Sequence, residues 1–169
     1  MVPLFKTRTA WDSGNNQVRW LGDDQFGVYM RYQKENMSFL NKSNVPYKVL
    51  AGDQPSSSII AIADGLFFSG RSNNARFYAY YPYSVSNGAS LQIPYTLPID
   101  QTSAKALANA DVMIASGIIA NGANPEVKLL FEHKMVLLSF KINSTIAVTR
   151  NVKKVSVTGT SVTNQGTLN

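Results

Sequence analysis

The sequence predicts an all-β fold, an antiparallel two-sheet β-sandwich with at most one short helix. Three observations lead there. Runs rich in Val, Ile, Phe and Tyr are short and are punctuated by turn formers, as in "DSGNN", "GDD" and "DQPSSS". That punctuation recurs about every 8–12 residues, the spacing of sandwiches and barrels. Several runs alternate apolar and polar side chains with a period of two, the mark of a half-buried strand, and helical character is confined to one stretch.

The first β-prone run, residues 4–11, meets the turn at 12–16 and then "QVRW" at 17–20, which together form a hairpin. After "GDD" comes "FGVYMRY" at 26–32, where Phe26, Val28 and Met30 alternate with Gly27, Tyr29 and Arg31. Residues 33–44 read as a loop. Residues 45–52 read as a strand that Pro46 assigns to a sheet edge or a strand start, because proline lacks the ladder donor. Residues 59–63 are short and apolar, and a loop at 69–75 leads into "RFYAYYPYS" at 76–84. In that stretch Phe77, Ala79 and Tyr81 share one face, Tyr78 and Tyr80 the other, and Pro82 ends the ladder.

Residues 91–99, broken by Pro94 and Pro98, read as an irregular crossing. The helix is placed in residues 101–110, with Thr102 or Ser103 as its cap. "DVMIASG" at 111–117 returns to strand. From 126 to 142 the parity of the apolar positions reverses: Val127, Leu129 and Phe131 are odd, whereas Leu138, Phe140 and Ile142 are even. A period of two cannot slip without cause, so a bulge or bend is expected near 133–136 in one long strand. Residues 152–159 give a last strand before a Gly/Thr/Asn-rich tail.

Composition bounds function. The chain has 169 residues, of which 44% are hydrophobic and 15% charged, well under the roughly 25% charged usual in globular proteins. A chain of this size buries a core without staples. No cysteine is present, which excludes disulfides, thiolate zinc sites and cysteine nucleophiles. The net charge of +6 comes from sixteen Lys and Arg scattered along the chain; nucleic-acid binders concentrate such charge on one face, so nucleic acid is not an expected partner. No apolar run approaches the roughly 20 residues of a membrane helix. The opening "MVPLFKTRTAW" lacks the hydrophobic core of a signal peptide and reads as an initiator Met on a mature sequence.

No catalytic constellation emerges. The single histidine, His133, cannot build an imidazole metal site, and flanked by Glu132 and Lys134 it reads as a support for the bend. Asp23 and Asp24 follow no calcium-loop pattern and read as turn residues bonding their own backbone. Phosphate-cradling loops, nucleophile elbows and paired glycosidase acids are not discernible. The expectation is a non-enzyme without cofactor or metal.

Three segments resemble the fimbrillin family, subunits of bacterial surface pili and their relatives. They are "TRTAWDSGNNQVRWLGDDQFGVYM" at 7–30, with Trp20, Asp23 and Val28; "FYAYYPYS" at 77–84, with Phe77, Tyr78, Tyr80, Tyr81 and Pro82; and "VKLLFEHKMVLLSFKI" at 127–142, with Phe131 and His133. The resemblance implies a transthyretin-like Greek-key sandwich that is exported as a lipoprotein and anchored in the bacterial outer membrane only by a lipid. It implies partners that are other pilus subunits or copies of itself, joined by strand exchange, with a host surface protein or glycan as a further partner. It also implies trimming by an arginine-specific protease, for which Arg8 and Arg19 are candidate sites. Residues 1–169 are then a single N-terminal domain preceding a second sandwich. Strand addition has its own physics, since an added strand satisfies a row of edge amides and its alternate side chains fill pockets. The alternative reading is a surface glycan-binding module in which the tyrosines stack on sugars.

Overall fold

The computed structural model describes residues 10–12, 17–50, 57–136, 138, 143, 153–159 and 164–168. Within them the expected all-β antiparallel architecture is present. The strands are β1 (Ala10–Asp12), β2 (Gln17–Arg19), β3 (Gln25–Tyr32), β4 (Lys42–Val49), β5 (Ile59–Ala61), β6 (Ala75–Tyr81), β7 (Ile93–Thr96), β8 (Met113–Ala120), β9 (Glu132–His133) and β10 (Gln165–Leu168). One α-helix, α1 (Ala104–Ala110), and a 3₁₀ helix at Glu35–Leu40 complete the set.

The main sheet has six antiparallel strands in the order β5-β4-β3-β6-β8-β9. β3, β4 and β5 follow one another as a meander, and β6 returns by a long connection to lie beside β3. That order is a Greek key. A second, two-stranded sheet pairs β7 with β10, and β1 pairs with β2 as the expected hairpin.

Both faces of the main sheet are covered at its centre, because β3 and β6 are apolar on alternate and intervening positions alike. On one face Phe26, Val28, Met30, Phe77, Ala79 and Tyr81 form the larger core. On the other, Tyr29 and Tyr80 pack with Ile93 of β7, and Leu168 of β10 leans against them. The parity expected for "RFYAYYPYS" is therefore the parity observed, and β6 ends at Tyr81 immediately before Pro82.

Two bulges bend the sheet around Tyr29 and Tyr78, which face each other across β3 and β6. In β4 the register shifts between Val28 and Met30, so that Ser43 and Asn44 stand against Tyr29, with Asn44 at φ 49°. In β8 it shifts between Phe77 and Ala79, leaving Ser116 and Gly117 against Tyr78, with Gly117 at φ +82°. The extra residue of such a bulge takes the left-handed region, where Gly is free and Asn is tolerated.

Several expectations need correction. Residues 33–44 are not a loop throughout, since the 3₁₀ helix lies there and β4 already begins at Lys42. Pro46 does not mark an edge strand: β4 is flanked by β3 and β5. Its carbonyl accepts from Ile62 N at 3.0 Å, just past the end of β5. The missing Pro46 N–H lies on that same side, past the end of β5, so the ladder between β4 and β3 loses no bond. The irregular crossing at 91–99 contains β7, and the polar tail contains β10.

The long strand expected at 126–142 is not formed as a ladder. Val127, Leu129 and Phe131 do turn toward the core as their parity requires, yet only Glu132 and His133 pair, with Ile114 and Met113. Backbone bending falls at Met135, inside the expected window; residues 137 and 139–142 lie outside the described residues. The strand expected at 152–159 is also not found, because residues 153–159 carry no helix or strand and are exposed. The helix is capped as expected by Ser103, whose Oγ accepts from Ala106 N at 3.1 Å.

Candidate functional site: a ring cluster and two unlike sheet edges

The segments singled out in the sequence meet in one place. Trp20, directly after β2, lies edge-on to Tyr81 of β6 at 5.4 Å and to Phe131 at 5.1 Å, and Phe131 lies edge-on to Phe26 at 5.4 Å. Each such ring pair contributes about 0.5–1.5 kcal/mol beyond area burial. Val28 sits in the same core one pleat along β3. Trp20, Tyr81 and Phe131 thus join an opening hairpin, a central strand and the approach to β9 into one packed unit.

On the opposite face the tyrosines are locked by hydrogen bonds. The Tyr80 hydroxyl bonds Asn44 Oδ1 at 2.6 Å and Ser84 O at 3.0 Å, and Ser84 N donates to it at 3.1 Å. Asn44 Nδ2 donates to Ser84 O at 2.9 Å and also to Asn87 O. The bulge in β4 is what turns Asn44 toward this group. Tyr80 crosses the backbone at Gly27, where an added Cβ would meet the ring at 2.2 Å. Gly27 is therefore required by space, which explains the glycine inside an otherwise apolar strand.

Tyr29 donates to Gly88 O at 3.2 Å, and the Arg31 guanidinium lies 5.3 Å from its ring centre. Burial, with Tyr80 adding to it, pushes the Tyr29 phenol up to about 12; burial also raises Tyr80 and lowers Arg31 from their ordinary values. Arg31 ties three elements together, donating to Lys42 O at 2.5 Å, Ser43 Oγ at 3.0 Å and Ala89 O at 2.8 Å. Sequence reasoning missed Arg31 and Asn44; the asparagine two residues before Pro46 was the available hint, since Asn tolerates positive φ.

Tyr80 and Tyr81 are buried, while Tyr78 and Tyr83 are half-buried. Rings so placed hold the sheet and offer no continuous sugar-stacking platform. A cleft of about 190 Å³ does open between this face and the second sheet, lined by Tyr29, Tyr78, Tyr80, Leu91, Ile93 and Leu168.

The acidic turn divides its labour. Asp24 is 1% exposed and accepts Leu21 N at 2.8 Å, closing the turn. Asp23, at φ 72°, points outward to Lys48 Nζ at 2.8 Å. His133 bonds Asp111 through Nδ1 at 2.7 Å, beside the β9 edge. Among the described residues no group of three His, Cys, Asp or Glu side chains is placed to hold a metal. Arg19 is the last residue of β2; Arg8 lies outside the described residues.

The two margins of the main sheet differ sharply. β9 is two residues long and bears Glu132, paired at 2.7 Å with Lys134 just past its end, next to the His133–Asp111 contact. The Lys134 ammonium holds the Glu132 carboxyl below its ordinary value. Charge and shortness blunt an edge in this way. β5 is the reverse: from Ser57 to Ala63 there is no charge, and Ile60 and Ile62 are 47% and 45% exposed. Next to β5 a cleft of about 240 Å³ is lined by Tyr47, Ile59, Leu66, Phe68, Val127 and Leu129.

Comparison with known proteins agrees with the resemblance seen in the sequence. The model of the family described as fimbrillin-like matches residues 7–169. Among solved structures the chain is similar to a candidate cell adhesion protein from Bacteroides ovatus, at 20% identity and a TM-score of 0.48. That similarity covers 76% of this chain and 50% of the other. No curated protein matches the sequence.

Proposed function

The chain belongs to the fimbrillin-like family, and from that premise we propose that it is a structural subunit or adhesin of a bacterial surface pilus, joined to its neighbours by β-strands added at a sheet edge. The observation that carries this reading is the inequality of the two margins. One is short and charged; the other is apolar, uncharged and flanked by a cleft. An exposed apolar edge is an aggregation hazard in a monomer and a joint in a filament.

In this reading the protein works at the cell surface, held to the outer membrane by a lipid anchor, and meets other subunits or itself first and a host protein or glycan second. Maturation by cleavage after Arg8 or Arg19 belongs to the same proposal. Among the described residues β1 and β2 pair only with each other. A cut after Arg19 would thus release a hairpin and leave every strand of the six-stranded sheet in place. Trp20 would become the new terminus, anchored by Tyr81 and Phe131.

The test is light scattering and electron microscopy of the purified chain before and after arginine-specific trimming, with Ile60→Lys alongside. The expected result is concentration-dependent multimers that Ile60→Lys suppresses without loss of fold. A chain that stays monomeric in every form at high concentration would sink the assembly reading.

A further inference from the structure

The tyrosine-bearing face of the main sheet holds two hydrogen-bond donors that the fold does not use. Tyr29 and Tyr80 spend their hydroxyls on Gly88 O, Asn44 Oδ1 and Ser84 O. The hydroxyl of half-buried Tyr78 has no partner among the described residues. Arg76 stands two residues earlier on β6, hence on the same face and about 6.6 Å away along the strand. It too forms no hydrogen bond or ion pair among the described residues. Its Nη1 lies 3.8 Å from where a Cβ on Gly117 would stand, next to Ser116 on the wall of the cleft beneath the second sheet.

Arg76 also faces Arg31 directly across β3 and β6. Like charges so opposed work against folding. Arg31 turns away to Lys42 O, Ser43 Oγ and Ala89 O, all neutral acceptors. No carboxylate neutralises either arginine among the described residues, where the ion pairs go to Lys48, Lys128, His133 and Lys134. The adjoining cleft holds about 190 Å³ and is walled by Leu91, Ile93, Ile114 and Leu168, with Tyr29 and Tyr78 on the sheet side. A cavity of about 150 Å³ admits benzene. This one therefore takes a single aromatic ring with a short link, and is too small for a sugar chain or a peptide. An unneutralised arginine pair beside an apolar slot is complementary to an anion with an apolar body.

We infer that this cleft binds a small arylalkyl carboxylate, its ring lodged between Tyr78 and the second sheet and its carboxylate held by Arg76 and the Tyr78 hydroxyl. A guanidinium fork donates two parallel bonds to a carboxylate, and the phenol O–H adds a third. Tyrosine rings favour an aromatic guest through edge-on and offset contacts. Arg31, already committed to carbonyls, contributes its charge. The bulge at Ser116–Gly117 leaves Arg76 free of a side chain at Gly117. The cleft beside β5 is lined by Val28, Met30 and Phe77 and so lies on the other face of the sheet. The inference goes beyond the assembly reading, and neither depends on the other.

Calorimetric titration of the intact chain with phenylpropionate, and with phenylpropanol as its uncharged counterpart, tests it. The expected result is one site with a Kd of about 0.1–1 mM for the acid, in keeping with a ligand of this size, and binding of the alcohol weaker by about tenfold or more. Arg76→Gln should weaken the acid about tenfold or more and Tyr78→Phe about three- to tenfold, without weakening the alcohol to the same degree. Arg71→Gln removes the same charge from an exposed loop position and should leave the acid within about twofold. Circular dichroism verifies the fold of each variant, and amide shifts of Tyr78, Ser116 and Leu168 on titration place the probe.

No saturable binding of the acid would overturn the inference. Equal affinity for acid and alcohol, or a loss in Arg71→Gln matching that in Arg76→Gln, would overturn the role of Arg76. Shifts confined to residues away from the cleft would overturn the site. Glucuronate bound there more tightly than phenylpropionate would overturn the aryl ligand in favour of an acidic sugar. Each of these results leaves the multimer experiment above unaffected.

Discussion

Replacing Gly27 by alanine tests the packing that unites β3, β4 and β6. The new Cβ would stand 2.2 Å from Tyr80 Cε1, 2.7 Å from Tyr80 Cζ and 2.6 Å from Asn44 Oδ1. None of these atoms yields easily. The Tyr80 hydroxyl is fixed by Asn44 and Ser84, and Asn44 is fixed in turn by Ser84 and Asn87. Overpacking of this kind costs about 1–3 kcal/mol. A displaced ring also forfeits hydrogen bonds worth about 1 kcal/mol each. Alanine returns about 0.5–1 kcal/mol by restricting the unfolded chain. The net expectation is a loss of about 2–4 kcal/mol, or a Tm lower by about 5–15 °C for a protein of this size.

Urea unfolding followed by tryptophan fluorescence measures it, with Trp20 lying in the ring cluster as reporter. The control is Tyr80→Leu, which removes the far end of the ring. In that background the alanine penalty should fall below about 1 kcal/mol, because neighbouring residues couple. An equal penalty in both backgrounds, or no penalty in either, would refute the steric reasoning.

Three further outcomes follow from the same geometry. Tyr81→Ala should cost about 3–5 kcal/mol, as for other buried rings, whereas half-buried Tyr78→Ala should cost about half as much; a glycan affinity lost on Tyr78→Ala with Tm unchanged would instead favour the sugar-binding alternative. Arg31→Lys should destabilise by about 1–3 kcal/mol despite keeping the charge, since an ammonium cannot reach Lys42 O, Ser43 Oγ and Ala89 O together; an unchanged Tm would count against the clamp. Alkaline pH should also weaken the fold. The Tyr29 phenol is raised by burial to about 12 in the folded state, so the folded chain holds its proton more tightly than the unfolded one. The resulting stability is complete below pH about 10 and is lost as pH climbs toward 12. Tyr29→Phe should flatten that fall, and a slope identical to wild type would contradict the assignment.

The parts of the fold that were legible share one cause. Alternation in β3 and β6 reports which face each side chain enters, and the structure places Phe77, Ala79 and Tyr81 opposite to Tyr78 and Tyr80 as that alternation requires. Ser103 was legible because a cap is a local contact. Alternation does not report pairing, however. Val127, Leu129 and Phe131 line the core from an extended segment that carries no ladder, since any extended chain lying on an apolar surface buries every second residue. β10 was hidden for the converse reason: "QGTL" has little propensity of its own and owes its strand to β7. The roles of Asn44 and Arg31 depend on partners more than ten residues away, so the sequence hints at the positive φ of Asn44 and at none of the partners. The unlike edges were half legible: the uncharged "SSIIAIA" could be read directly, but its place at the margin needed the strand order.

The Greek-key order has a consequence for synthesis. β3 is made long before β6, yet it finds its central neighbour only when Ala75–Tyr81 has emerged. Until then the β3–β4–β5 meander presents Phe26, Val28 and Met30 to water with nothing across from them. Such late, distant closure is slow and leaves nascent chains adhesive. A holding chaperone that shields this meander until the tyrosine strand arrives would protect the chain during the interval when its own interior is its most reactive surface.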